Sequence, residues 1–162
     1  MDLLLEFSQW LGATSLGTAV AEVWFPEVEC VHVIALATVA GTIFLVDTRL
    51  IGLTSTKLSY RQISSRLLPW TWAGFILSAI TGFLLFSSNS VAYYGNGAFR
   101  LKLILMILAG ANMLYFELVT FRGVATWDAA AKPPLAARVA GALSVTLWCC
   151  VIMTGRWIGF SL

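Results

Sequence analysis

The chain contains a single histidine, His32, three residues after Glu29 and close to the start of an apolar run. A lysine, Lys102, opens a second apolar run in the same way. An imidazole one helical turn from a carboxylate is either a satisfied structural pair or a ligand oriented by that carboxylate. Both readings of His32 stay open on the residues alone. Asp47 follows Glu29 by eighteen positions, a whole number of turns at about 3.6 residues per turn. Glu29, His32, Leu36, Ala40, Ile43 and Asp47 therefore share one helical face. A second stripe carries Lys102, Met106, Ala109, Met113 and Glu117, with Asn112 beside it. Ionisable groups within a bilayer cost on the order of 3 kcal/mol each and turn toward a bundle interior or its mouths. These two stripes are thus expected to face inward.

The elements that must position these residues follow from composition. Of 162 residues, 59% are hydrophobic and 11% charged, and the mean hydropathy is +0.86. A soluble domain carries roughly a quarter charged residues, so the chain reads as an integral membrane protein. The net charge of +2 includes no basic tract, which excludes a nucleic-acid-binding surface. No C-x-x-C, H-E-x-x-H, phosphate-binding loop or serine triad signature is present. Uncharged runs lie at Cys30–Val46, Leu67–Phe99, Leu103–Phe116 and Val139–Gly155, and a membrane-crossing helix needs ~20 residues. The expected fold is all-α, a four-helix transmembrane bundle with spans at about 28–51, 67–87, 99–121 and 138–160. Residues 27–162 form one domain on this reading. Residues 1–26 are expected to form an amphipathic interfacial helical segment, with Asp2, Glu6 and Gln9 on one face and Leu4, Phe7, Trp10 and Leu11 spread over the other. Gly74, Ser78 and Gly82 recur every four residues in the second span, a spacing that lets helices approach closely.

Charge placement gives an orientation. Arg49, Lys57, Arg61, Arg66, Arg122, Lys132 and Arg138 gather on one side, whereas the first 29 residues hold five acids and no base. By the positive-inside rule both termini face away from the cytoplasm. Glu29, His32, Arg100, Lys102 and Arg156 then make an outer cluster beside a cleft between helices. Asp47, Arg49, Glu117, Arg122 and Arg138 make an inner one, read as carboxylates that arginines staple to helix ends.

The segments Glu29-Cys-Val-His32, Asp47-Thr-Arg49, Arg66-Leu-Leu-Pro69-Trp-Thr-Trp-Ala-Gly74, Tyr94-Gly-Asn-Gly-Ala-Phe-Arg100-Leu-Lys102 and Ala136-Ala-Arg138 resemble a bacterial four-helix membrane family of unknown function over nearly the whole chain. More distantly, the histidine early in one helix and the lysine early in the helix two later are similar to the four-helix protoporphyrinogen IX oxidase family. They are likewise similar to the membrane domain of copper-resistance protein D, within a broader group of haem-binding bundles. That resemblance implies a bacterial inner-membrane protein binding haem b or a porphyrin, in electron transfer or porphyrin oxidation. It makes His32 and Lys102 the functional pair, with His32 on haem iron. A lone histidine departs from the paired histidines of dihaem cytochromes, which leaves His-only, His–Met or intersubunit ligation; Met106 and Met153 are the candidate sixth ligands. Glu29 is expected to orient His32, and Arg100, Lys102 and Arg156 to bind propionates. Alternatives are a non-catalytic subunit of a larger respiratory or photosynthetic complex, supported by seven Trp, and a homo-oligomer. Small-anion transport through the outer basic cluster is another, as is copper transport using Cys30, Met106, Met113 and Met153 as soft ligands.

Overall fold

The computed structural model describes residues 2–53, 59–128 and 132–161, and among these it is helical with no strand. Helix α1, Leu3–Gly12, starts where the Asp2 side chain accepts the Leu4 N–H. The chain turns at Ala13 and Thr14, and the Thr14 hydroxyl caps α2, Ser15–Ala19. A π-helical turn, Val20–Trp24, then leads directly into α3, Phe25–Ile51. The expected interfacial segment is thus two helices, the second continuous with the first span. Gly17 sits at this corner: a methyl group there would come 2.8 Å from both the Leu11 and Ser87 carbonyls. Only glycine lets the backbones meet.

Helix α3 ends at Gly52, whose φ of 86° supplies the left-handed cap that side chains with a Cβ resist. Helix α4, Tyr60–Ser88, opens with a capping box of Ser59 and Gln62, which satisfies two end N–H groups reciprocally. A short helix α5, Ser90–Gly95, occupies the connector between the second and third spans. Asn96 then caps α6, Gly97–Tyr115, and its Nδ2 donates to the Ser161 Oγ at 2.9 Å, joining the start of α6 to the end of the last helix. Beyond Tyr115 the third span continues through a π-helical turn, Phe116–Thr120, and a 3-10 turn, Phe121–Thr126. Helix α7, Leu135–Ser161, completes the fold.

Among the described residues four stretches are long and apolar enough to cross a bilayer: Ser15–Ile51, Tyr60–Ser88, Gly97–Thr126 and Leu135–Ser161. Their outward faces carry large apolar side chains such as Ile34, Trp70, Ile107 and Trp157, the surface of a multi-pass membrane protein. All four spans begin earlier than expected: the first because α2 and the π-helical turn run into α3, the second and third because the caps at Ser59 and Asn96 set their starts.

Helix α3 packs along α4 on one side and α7 on the other, and α7 packs along α6. The α4 and α6 backbones stay apart, with no Cα pair within 8 Å among the described residues. Gly74 brings α4 against α3, since a methyl there would lie 3.1 Å from Val39 Cγ2 and 3.2 Å from the Ala35 carbonyl. The densest apolar packing is at the Asp47 end, where Tyr60 meets Phe116, Phe121 and Trp127 edge-on or tilted. At the opposite, His32 end, α1 lies against α5 through a Ser90 hydroxyl bonded to the Ser8 carbonyl and a Tyr94 phenol donating to Asp2. Leu4, Phe7 and Trp10 of α1 remain exposed.

Candidate functional site

At the His32 end every spanning helix contributes to one layer. The half-buried His32 of α3 places Nδ1 2.9 Å from Thr81 Oγ1 of α4. Thr81 has one hydroxyl proton, and it donates that proton to the Leu77 carbonyl at 2.7 Å. Toward the imidazole it therefore accepts, and the Ser78 backbone carbonyl is a second acceptor near the ring. The network assigns the proton to Nδ1 and leaves the lone pair of the neutral ring on Nε2. Gly82 seats the ring, since a methyl there would come 3.1 Å from Cε1.

The half-buried Lys102 of α6 lies close enough to act electrostatically on His32. It runs over Gly155 of α7, where a methyl would stand 3.3 Å from Nζ. Glycines on α4 and α7 thus make room for the two groups that α3 and α6 bring in.

The other expected members of this cluster sit further out. The orienting partner of His32 is Thr81 in place of Glu29, which is exposed and neighbours Tyr93. Burial, with the Glu29 carboxylate adding to it, pushes the Tyr93 phenol up from its ordinary value. Arg100 and Arg156 are exposed at the rim, with the Arg156 guanidinium 4.9 Å from the Phe160 ring centroid. Met153 is 70% exposed on the outward face of α7 and is not brought to His32. Met106 points into a cavity at the Asp47 end. No group of three or more His, Cys, Asp or Glu stands together as a metal site among the described residues, and Cys30, one of the soft ligands considered for copper, is exposed.

That cavity, of about 220 Å³, lies between all four spans. Asp47 borders it while only 6% exposed. The Ser144 hydroxyl is beside the carboxyl, and Oδ2 has no hydrogen-bond partner. Glu117 borders it from the π-helical turn, a distortion that re-aims side chains. Asn112 donates its Nδ2 to the Ala140 carbonyl at 3.0 Å and so ties α6 to α7.

The expected pairing of these carboxylates with arginines takes a different form. Arg49, 1% exposed, donates through Nη2 to the Asp128 carbonyl at 3.1 Å. The same carbonyl accepts the Tyr60 N–H, and the Asp128 carboxylate accepts the Arg61 N–H. Arg49 thus anchors the segment after the third span, whereas Arg122 and Arg138 are exposed. Two residues past Asp47 on a helix point about 200° away, so the buried arginine and the cavity-facing aspartate occupy opposite faces of α3. Lys57 lies outside the described residues.

Of the two expected stripes, Asp47 and Ala109 are buried and His32, Leu36, Ala40, Ile43, Lys102, Met106 and Glu117 half-buried, whereas Glu29 and Met113 are exposed. Sequence reasoning missed Thr81, Gly155 and Ser144, which carry no signal in a single sequence because their roles depend on cross-helix register. Gly82 was visible as a small residue, and its partner was not.

The sequence profile of a family of unknown function, DUF6644, matches residues 6–161. The chain belongs to that family. No curated protein and no solved structure matches it.

Proposed function

We propose that this DUF6644 member is a bacterial inner-membrane protein that binds haem b or a related porphyrin at its His32 end and serves electron transfer or porphyrin oxidation. The observation that supports this reading is the hydrogen-bond chain Leu77–Thr81–His32. With Nδ1 as the donor to Thr81, Nε2 would be the ligating atom, as when a hydrogen bond to the other ring nitrogen orients a metal-bound histidine. The donor set fits the group: one oriented imidazole, and a half-buried ammonium in the same layer to meet a carboxylate of the tetrapyrrole. The distant similarity to protoporphyrinogen IX oxidases rests on the same pair, His32 and Lys102. Iron held there would supply one-electron chemistry. The protein's part is to orient the ring through Thr81, to hold positive charge at Lys102 and to limit water through the helices around them.

On this reading both termini lie outside the cytoplasm, since the basic residues concentrate at the Asp47 end. Purification of the full chain from cells supplied with a haem precursor tests the proposal. A Soret band is expected for wild type and for Met153→Leu, and its loss for His32→Ala in a protein that remains helical by circular dichroism. A colourless, porphyrin-free wild type refutes it.

A further inference from the structure

The cavity at the Asp47 end serves no part of the His32 reading, and its chemistry is different. We infer that it is a binding site for a small organic ammonium ion with an apolar body, such as a short-chain primary amine. Besides the hydroxyl groups of Tyr60, Ser64, Thr71 and Ser144, three side chains that line it carry carboxylate or amide oxygens. Asp47 borders it while more than nine-tenths buried; the Ser144 hydroxyl is beside its carboxyl, and Oδ2 is left without a hydrogen-bond partner. Glu117 brings a second carboxylate, and Asn112, which gives one Nδ2 hydrogen to the Ala140 carbonyl, keeps Oδ1 as an acceptor. No Lys or Arg is among the described residues that border the space. A buried carboxylate oxygen lacking a partner costs free energy that an arriving cation recovers.

The remaining wall is mainly apolar and includes Trp72, Phe75 and Trp148. That lining suits an alkyl or aryl body, and indole faces attract an ammonium group. A bare divalent cation would instead ask for about six or more oxygen ligands. The volume of about 220 Å³ falls below the ~300–1,000 Å³ of sites for drug-sized molecules, which sets the ligand at a few carbons. Entry is sideways: near the cavity the α4 and α6 backbones stay apart, and the cavity-lining Trp72, Phe75 and Met113 are also exposed on the outer surface.

Isothermal titration of the purified full chain in lipid nanodiscs with n-butylammonium tests this, with 1-butanol as the neutral isostere. Wild type is expected to bind the amine saturably and the alcohol at least tenfold more weakly. Asp47→Asn is expected to lose at least tenfold in amine affinity, and Ala109→Phe, which fills the space, to lose binding altogether. Should Asp47→Asn not fold, Glu117→Gln and Ala109→Phe decide the matter, each with the same direction of effect. Equal affinity for amine and alcohol, unchanged amine affinity in these variants, or no saturable amine binding by folded wild type overturns the inference. None of these outcomes depends on a Soret band, so this site and the His32 site stand or fall separately.

Discussion

Replacing Gly82 by alanine probes the seat of the imidazole with one methyl group. The added carbon would lie 3.1 Å from His32 Cε1 and 3.7 Å from Nδ1, whereas relaxed carbon contacts begin near 3.5 Å. The ring must retreat from α4 by about 0.4 Å. Since Nδ1 adjoins Cε1, the 2.9 Å bond to Thr81 stretches beyond the ~3.2 Å limit of good geometry. Weakening that bond costs about 1 kcal/mol, and overpacking adds about 1–3 kcal/mol. Against this, alanine gains about 1 kcal/mol of helix propensity over glycine, which leaves a net loss of about 1–3 kcal/mol. Gly41 is the control, because a methyl there meets nothing within 4 Å, and Gly41→Ala should be neutral or stabilising by up to about 1 kcal/mol. Reversible unfolding in mixed detergent micelles, followed by circular dichroism, measures both. His32 is the only histidine in the chain, so ¹⁵N-histidine labelling reports one ring. The wild-type spectrum should show a protonated Nδ1 and a bare Nε2, and Gly82→Ala should shift both signals. If Gly82→Ala were as stable as Gly41→Ala with an unchanged ring spectrum, the packing of His32 on α4 and the tautomer drawn from it would both be refuted.

Two further predictions concern the two ends of the bundle. The Tyr94 phenol donates to Asp2 and holds that carboxyl below its ordinary value near 3.8. The resulting hold on α1 is therefore complete above that value and lost as pH falls through the lowered one. Hydrogen exchange in α1 should rise in acid for wild type and be fast already at neutral pH for Tyr94→Phe; equal protection in the two proteins at neutral pH would count against the contact. Arg49→Met leaves the Asp128 carbonyl with the Tyr60 N–H alone and should cost about 1–3 kcal/mol in the same micellar unfolding assay. Arg49→Lys should recover less than half of that, because an ammonium lacks the guanidinium fork; a stable Arg49→Met protein would show that the anchor contributes nothing.

The amino-acid sequence by itself determined four helices, their approximate limits and most of the two stripes that turn inward. The reason is local: in hydrocarbon each span must satisfy its own backbone hydrogen bonds, so length and hydropathy over one segment suffice. Met106, Ala109 and Glu117 border the space between the helices, and Gly74 brings α4 onto α3 as a small residue should. Neighbour relations are not local. That α4 and α6 stay apart, that Thr81 rather than Glu29 holds His32, and that the cavity opens beside Asp47 and Glu117 all follow from packing among helices. Arg49 and Asp47 show the limit most directly. Two residues apart in sequence, they read as members of one charged cluster, yet the turn of the helix sends one to the Asp128 carbonyl and the other into the cavity. Only the tertiary structure supplies the partner that gives each charge its role.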